Sequence, residues 1–463
     1  TVAALLTMWP EREDPRDRWE FLHRGKAPEW FADSPPPRFW EETVTVPVPV
    51  PEAKGSGAFV AEEIPLPVPN PWKRNVRPAS FDFFPDGRLA LATFDGDVWI
   101  ADSVGPAPKA ITWRRFAGGL HEPMGLRIED GQILVFDRNG LTRLVDRDNN
   151  GEADFYQNVS NIAAQTAETR EFAMGFELKP GGGYYLSKGG QVASTRGKLN
   201  GTVVEISPDG RSPGLIASGL RQPFIGVDPK SGLLTASDQQ GHWVPATPLH
   251  VIRKGEYYGF QPSRFKDKAV HPQEITDPPL WIPHFVNQSG ARQVWLRNAK
   301  MGPLNDSLIH IGYNRPAIFK VYLDRDADGE IRQGGIAQVL DGFRTGLLDG
   351  RVNPQDGFLY VGGLNIWGSV GKEIRGLYVM GEDIAISEPN VMELERGLND
   401  CEFLVLQDVF PNETTRFADV ILPAAAFAEK EGVFTNSERR AQRVRKAVDP
   451  PGEARPDWEI LLD

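Results

Sequence analysis

The stretch Phe84-Pro-Asp-Gly-Arg-Leu-Ala-Leu-Ala-Thr-Phe-Asp-Gly-Asp-Val-Trp99 decides how the larger part of this chain is read. An Asp-Gly turn leads into the apolar run Leu89–Thr93, and a second Asp-Gly turn follows at once. Asp and Gly accept the tight turns that short strands need. The unit returns at Asp130-Gly131 before Ile133–Asp137, Gly181-Gly182 before Tyr184–Ser187 and Ser231-Gly232 before Leu233–Asp238. Two more copies stand at Asn305-Asp306 before Leu308–Ile311 and Asp356-Gly357 before Phe358–Val361. Most spacings are roughly forty-five to fifty residues, with a longer interval around 255–290. A second element recurs as Gly119-Leu-His-Glu-Pro-Met-Gly125 and Gly219-Leu-Arg-Gln-Pro-Phe-Ile-Gly226. Repeats of this length predict a β-propeller, because one blade cannot bury both its faces and a ring of blades can. Six copies predict six blades over residues 70–370 in a mainly β chain.

The pattern changes on either side. Residues 1–69 are Pro-rich and include Val46-Pro-Val-Pro-Val-Pro51 and Ile64-Pro-Leu-Pro-Val-Pro-Asn-Pro71. Alternating prolines exclude helix and remove ladder donors, so this arm is expected to be extended and polyproline-like. Trp19, Trp30, Phe31, Phe39 and Trp40 are the residues that would dock it. From Gly371 onward, strand Ile374–Met380, a helix over about 388–399 and strand Glu402–Gln407 predict a βαβ unit with a parallel sheet. A short helix at Thr414–Ala418 and a strand at Val420–Pro423 follow. Residues 371–463 are therefore expected to be a partial α/β fragment.

The chain has 463 residues, 40% hydrophobic and 25% charged, with a formal net charge of −12. That size holds more than one core, and that charge argues against a nucleic-acid partner. No apolar run reaches membrane-spanning length, and the opening Thr1-Val-Ala-Ala-Leu-Leu-Thr-Met lacks the form of a secretion signal. With no initiator Met, the chain is expected to be a processed or excerpted piece. Cys401, the single cysteine, makes no internal disulfide, cysteine zinc site or iron–sulfur cluster, and is expected to be a buried small hydrophobe.

Two acidic turns read as candidate metal loops. Asp146, Asp148, Asn150 and Asp154 present hard oxygens around Gly151, and Asp324, Asp326 and Asp328 repeat the idea before Gly329. Neither has the Glu of an EF-hand at its twelfth position, where Gln157 and Gly335 stand. The same residue types also build plain hairpin turns, so both readings stay open.

Residues 70–367 resemble the glucose/sorbosone dehydrogenase-like propellers, and more closely a branch of large bacterial proteins described as membrane-bound dehydrogenases. The matching text includes Asn70-Pro-Trp-Lys, Phe84-Pro-Asp-Gly, Phe94-Asp-Gly-Asp-Val-Trp99, Gly119-Leu-His-Glu-Pro, Asp148-Asn-Asn-Gly-Glu-Ala-Asp-Phe-Tyr156 and Ser237-Asp-Gln-Gln-Gly-His-Trp-Val-Pro245. The resemblance implies pyrroloquinoline quinone (PQQ) and Ca²⁺, a sugar or alcohol substrate, a separate electron acceptor and a periplasmic setting. Arg221-Gln222-Pro223 stands where the family has Arg-Asn-Pro against the quinone. The family's catalytic His would fall near Arg170–Met174, where none occurs, which leaves His121 and His242 as substitutes. His121 has a bland alternative, because the other copy of its element carries Arg221 and the position can serve loop backbone alone.

The stretch from Gly371 to Leu461 resembles the large subunit of formate dehydrogenase and its molybdopterin oxidoreductase relatives. It matches through Gly381-Glu382-Asp383, Gln407-Asp408, Ala418–Glu429 and Asn436-Ser-Glu438-Arg439-Arg-Ala-Gln442. The resemblance implies contacts of these residues with molybdopterin guanine dinucleotide. The basic cluster Arg439, Arg440, Arg443, Arg445 and Lys446 could neutralise its pyrophosphate or form a solvated face. The family's catalytic Cys or selenocysteine, catalytic His and iron–sulfur module are not in this stretch. It is therefore expected to be inactive alone and not to retain the cofactor. With no linker between Trp367 and Gly371, the chain reads as a chimera. The alternatives are a non-catalytic propeller that binds a glycan or protein partner, and a fragment whose function is that of a molybdenum-dependent formate dehydrogenase subunit.

Overall fold

The computed structural model describes residues 38–49, 59–102, 104–105, 108–163, 171–190, 199–241, 244–260, 274–364, 376–387, 397–399, 401–435 and 441–462. The chain divides into two compact units, one through Asn365 and one from Ile366.

In the first unit the described strands form six sheets in chain order. The first holds Pro78–Phe83, Leu89–Thr93, Val98–Asp102 and Ala110–Ala117. The second holds Gly125–Glu129, Gln132–Asp137, Gly140–Val145 and Phe155–Ser160. The third runs Gly175–Leu178, Tyr184–Lys188, Thr202–Ile206 and Pro213–Ser218, with Glu256–Tyr257 added in parallel at its edge. The fourth comprises Phe224–Val227, Leu234–Ser237, Thr247–Val251 and Leu280–Ile282. The fifth comprises Gly290–Trp295, Leu308–Gly312, Ala317–Arg325 and Ile331–Leu340, and the sixth Asp349–Val352 and Leu359–Gly362. The first strand of each sheet packs on the first strand of the next, and that of the sixth returns to that of the first. This mainly β, propeller-like ring buries apolar layers between neighbouring sheets, such as Val98, Ile100, Leu126 and Val135 between the first and second.

The recurring Gly-Leu element has a packing reason. Leu120 donates its N–H to the Gly96 carbonyl at 3.0 Å, and Leu220 does the same to Gly201 at 3.1 Å. A Cβ on Gly96 or Gly201 would lie 2.2 or 2.3 Å from the carbonyl oxygen of that same leucine. Each copy thus docks a loop onto a glycine of the preceding sheet.

The described part of the arm is extended, and a short piece of it also pairs as a strand. Thr43–Pro47 is an antiparallel strand on the outer edge of the first sheet, with Thr43 opposite Arg114 and Pro47 opposite Ala110. An edge tolerates proline because one side of the strand needs no donors, and here Pro47 sits at the strand's end. Ile64 and Leu66 pack on the first sheet, and the Trp113 indole donates to the Pro65 carbonyl at 2.9 Å.

In the second unit, Gly376–Met380, Phe403–Asp408 and Val420–Pro423 form a parallel sheet in that order. One face is covered by Leu398, Ile384, Phe417 and Ala418. Of the expected helix over 388–399, residues 388–396 lie outside the described residues and 397–399 are helical. The short helix expected at Thr414–Ala418 is a 3-10 turn over Glu413–Phe417. Cys401 is half-buried rather than buried, with its sulfur 3.5 Å from the Phe403 carbonyl.

Candidate functional site

Each sheet of the ring presents, at one end, the residues that precede its first strand and those that follow its second. His121 and Arg221 lie there on equivalent loops, and in both the backbone is the anchored part. Asp137 accepts the His121 N–H at 2.9 Å, while Asp238 accepts the N–H groups of Arg221 and Gln222, both at 2.6 Å. Burial raises the Asp137 carboxyl and pushes that of Asp238 up to about 6 despite those donors. The His121 side chain is exposed, and the Arg221 guanidinium reaches the Gln240 carbonyl. His242 lies outside the described residues.

Where the resemblance expects a His, the chain places Glu171. Its carboxylate is buried, 3.6 Å from the buried Lys188 ammonium, and accepts from the Asn200 amide at 2.6 Å. Burial lowers the Lys188 pKa, with Glu171 opposing. Arg138 sits beside this pair, bonded to Glu122 at 2.6 Å and 5.2 Å from the Phe172 ring. Sequence reading missed Glu171, Lys188 and Asn200. The signal was present, since Lys188 closes the otherwise uncharged strand Tyr184–Lys188 and buried charges require partners.

A second group was also missed. The first strands carry Arg127, Glu177, Arg292, Asp349 and Arg351 inside apolar text. Glu177 Oε1 accepts from Arg127 at 2.6 Å, Arg292 at 3.1 Å and Arg351 at 2.7 Å. Arg292 Nε lies 2.7 Å from Asp349. Burial raises the Glu177 pKa, with the guanidiniums of Arg127 and Arg292 opposing. With Asp82, whose carboxyl also acts on Arg127, three guanidiniums face three carboxylates across the ring.

The two acidic turns are folded inward on themselves. Asp146 accepts from the Asn150 and Gly151 N–H groups at 3.1 and 2.8 Å, Asp148 from Asn150 at 3.0 Å, and Asp154 from Arg147 at 3.2 Å. The Asn150 side-chain oxygen accepts from the Glu152 N–H. Burial, and secondarily Asp148, raise the Asp146 pKa. Asp326 accepts from the Asp328 and Glu330 N–H groups, and Asp324 points to solvent. Among the described residues, no cluster of three or more His, Cys, Asp or Glu has metal-binding geometry.

In the second unit the expected residues gather at the carboxyl ends of neighbouring parallel strands, where α/β sheets bind ligands. Gly381 follows the first strand at φ +65° and donates to the Gln407 carbonyl at 2.8 Å. A Cβ there would meet nothing within 4 Å, so the space above it is open. Asp383 holds the 3-10 turn through the Glu413 and Thr414 N–H groups and the Thr414 hydroxyl, at 3.1, 3.0 and 2.7 Å. Its pKa is lowered, the Thr414 and Glu413 bonds outweighing a desolvation that acts the other way. Asp408 accepts from Val409 and from the Asn412 amide. The buried Gln407 amide is satisfied by Tyr378 and Asp457. Glu382 is exposed at the same rim. Asn436, Glu438 and Arg439 lie outside the described residues, and Gln442 falls on the strand Ala441–Val444. Of the basic cluster, Arg443 pairs with Glu431 at 3.5 Å and Lys446 with Asp449 at 2.6 Å.

Comparison with known proteins finds relatives by sequence for the carboxyl-terminal part of the chain. The molybdopterin oxidoreductase family model matches residues 358–463. The F420-dependent formate dehydrogenase subunit alpha of Methanocaldococcus jannaschii is 56% identical over 91 residues, which are 20% of this chain and 14% of that protein. A counterpart from Methanococcus maripaludis is 50% identical over the same length and shares. The chain thus spans about one seventh of these relatives. Among solved structures, a glucose dehydrogenase-type oxidoreductase of Thermus is 19% identical, covering 62% of this chain and 90% of that one at a TM-score of 0.45. The PQQ-bound aldose sugar dehydrogenase of Streptomyces coelicolor is 13% identical, covering 60% and 85% at 0.45. The chain is oxidoreductase-related, with a segment similar to formate dehydrogenase alpha subunits at its carboxyl end.

Proposed function

We propose that the second unit, a partial α/β layer, derives from the part of a formate dehydrogenase-like subunit that holds molybdopterin guanine dinucleotide. What carries this reading is the placement of Gly381-Glu382 and Gln407-Asp408 on adjacent parallel strand ends, inside the segment that is 56% identical to a formate dehydrogenase alpha subunit. Carboxylates such as those of Glu382 and Asp408 suit N–H and O–H donors such as a guanine edge or ribose hydroxyls. A pyrophosphate would instead need the cations of residues 439–446. When bound, such a cofactor supplies two-electron redox chemistry at its metal. This chain's residues would grip only the nucleotide end. Metal and pterin analysis of the purified chain, expressed in a host that makes the cofactor, tests the reading. Stoichiometric pterin supports a retained nucleotide site, and its absence leaves the segment as ancestry without binding.

The ring supports a second reading, favoured by the equivalent placement of His121 and Arg221 at one end. It is a six-bladed propeller of quinone-dependent sugar or alcohol dehydrogenase type, of periplasmic setting, with PQQ and Ca²⁺ as cofactors. The inward-turned Asp146 and Asp326 loops fit Ca²⁺ poorly, because their oxygens already accept backbone N–H groups. Dye reduction after loading with PQQ and Ca²⁺, across a panel of aldoses and polyols, decides between this and a non-catalytic ring that binds a glycan or protein. A ring of sheets and a segment 56% identical to a formate dehydrogenase alpha subunit stand in one chain, which supports reading the chain as a chimera. Sequencing the parent DNA across residues 360–380 separates a natural fusion from an assembly product.

A further inference from the structure

We propose that the cleft at the other end of the ring, away from His121 and Arg221, binds a small organic anion with an apolar body. The cleft has a volume of about 510 Å³ and lies among the third, fourth and fifth sheets. That is the size of a small-molecule site. Its floor is apolar, formed by Ile216, Leu234 and Ile252.

The rim is cationic, although the chain's net charge is −12. Three of the lining residues are basic (Arg253, Lys254 and Arg325) and two are acidic (Glu205 and Glu330). Arg253 is committed to Glu330 at 3.1 Å and to the Ile331 carbonyl. Glu205 is held by Lys179 at 2.5 Å, so Lys254, at 3.4 Å, is its second and weaker partner. The Lys254 side chain is 75% exposed. Arg325 donates only to the Gly329 carbonyl at 2.7 Å, and no carboxylate pairs with it among the described residues. Arg325, and Lys254 beyond its weaker contact with Glu205, thus line the same cleft as the apolar floor. An aryl or alkyl carboxylate or sulfonate satisfies both parts, with its charge on Arg325 and Lys254 and its body over Ile216 and Ile252. A neutral apolar molecule would leave the rim unused, and an inorganic anion would leave the floor wet.

The test uses the full chain and two fluorescent probes of similar shape, the anion 8-anilinonaphthalene-1-sulfonate and its neutral analogue N-phenyl-1-naphthylamine. The expected result is one saturable site for the anion, at least tenfold tighter than for the neutral probe. The double substitution Lys254→Glu with Arg325→Glu should weaken the anion at least tenfold and leave the neutral probe within twofold. Both side chains are exposed, so the thermal transition should not move. Equal affinity for the two probes, or an anion affinity unchanged by the double substitution, overturns the proposal.

Discussion

The Ser80 hydroxyl donates to Asp349 Oδ2 at 2.6 Å across 269 residues of chain. This contact joins the first strand of the first sheet to the first strand of the sixth, and so closes the ring. Ser80 also accepts the Leu126 N–H at 2.9 Å, and Asp349 takes Arg292 on its other oxygen. One carboxylate thus ties three strands, with Tyr360 reinforcing the closure through its hydroxyl on the Val104 carbonyl. Asp349→Ala leaves Arg292 buried beside too little negative charge and should cost about 3–5 kcal/mol. Ser80→Ala should cost about 1 kcal/mol. Urea unfolding of both variants measures the difference, and equal losses would mean that Asp349 acts through Ser80 alone.

Gly96 and Gly201 should tolerate no side chain. Both have positive φ, +92° and +64°, and a Cβ would press on a leucine carbonyl of the adjoining loop. Gly131 has φ +76° but open space around it, so Gly131→Ala isolates the backbone term at about 1 kcal/mol. Gly96→Ala and Gly201→Ala should each exceed it by about 2 kcal/mol or more. Similar losses at all three sites would remove the argument that the Gly-Leu element recurs for packing.

Acid should destabilise the ring through two histidines. Burial lowers His250 and His310 from 6.5 to about 3. Between those values the unfolded chain binds more protons than the native one, so stability is complete above about 6.5 and falls as pH drops toward 3. Asp238 acts oppositely. Its native carboxyl titrates near 6 rather than 3.8, so its stabilisation is full below 3.8 and lost as pH rises through 6. The raised carboxyls of Asp137, Asp146 and Glu177 act in the same sense as Asp238. The histidine contribution is therefore read as the difference in acid slope of the urea midpoint between variant and parent from pH 6.5 to 4. His250 packs edge-on against Tyr258 at 4.5 Å, and its Nδ1 is buried without a hydrogen bond. His250→Phe should therefore be nearly neutral at pH 7 and shallower in its acid loss. An unchanged acid slope would mean that His250 protonates in the native state.

The repeating turn-strand units were legible because alternation and Asp-Gly turns are local signals. Leu89–Thr93 and Val420–Pro423 fall where the residues place them. Charge inside the ring was not legible in that way. Arg127, Glu177 and Arg292 read as exceptions to apolar strands until the sheets bring them within 3.1 Å. Glu171 escaped because it lies in a loop and its partner Lys188 is seventeen residues away at the end of a strand, and only the fold makes that pair. The pairing of part of the arm was not legible for a related reason. Proline spacing reports what a segment cannot do alone, and Thr43–Pro47 pairs because a neighbouring edge offers it a ladder.

Glu152 carries the last prediction. It stands in a turn read as a metal loop, yet its carboxylate accepts the N–H groups of Phe39 and Trp40, both at 2.7 Å, and pairs with Arg38 at 3.4 Å. The Arg115 guanidinium lies 4.2 Å from the Trp40 ring and extends the same attachment. Glu152→Ala removes both carboxylate acceptors but leaves the ladder of Thr43–Pro47 intact. Chymotrypsin cleavage after Phe39 or Trp40 should then accelerate at least fivefold, while global stability falls by only about 1–2 kcal/mol. Glu152→Gln, with one oxygen left to accept, should fall between. Cleavage at the native rate in Glu152→Ala would assign the anchoring of the arm to its strand pairing, and the carboxylate would then be serving its own turn.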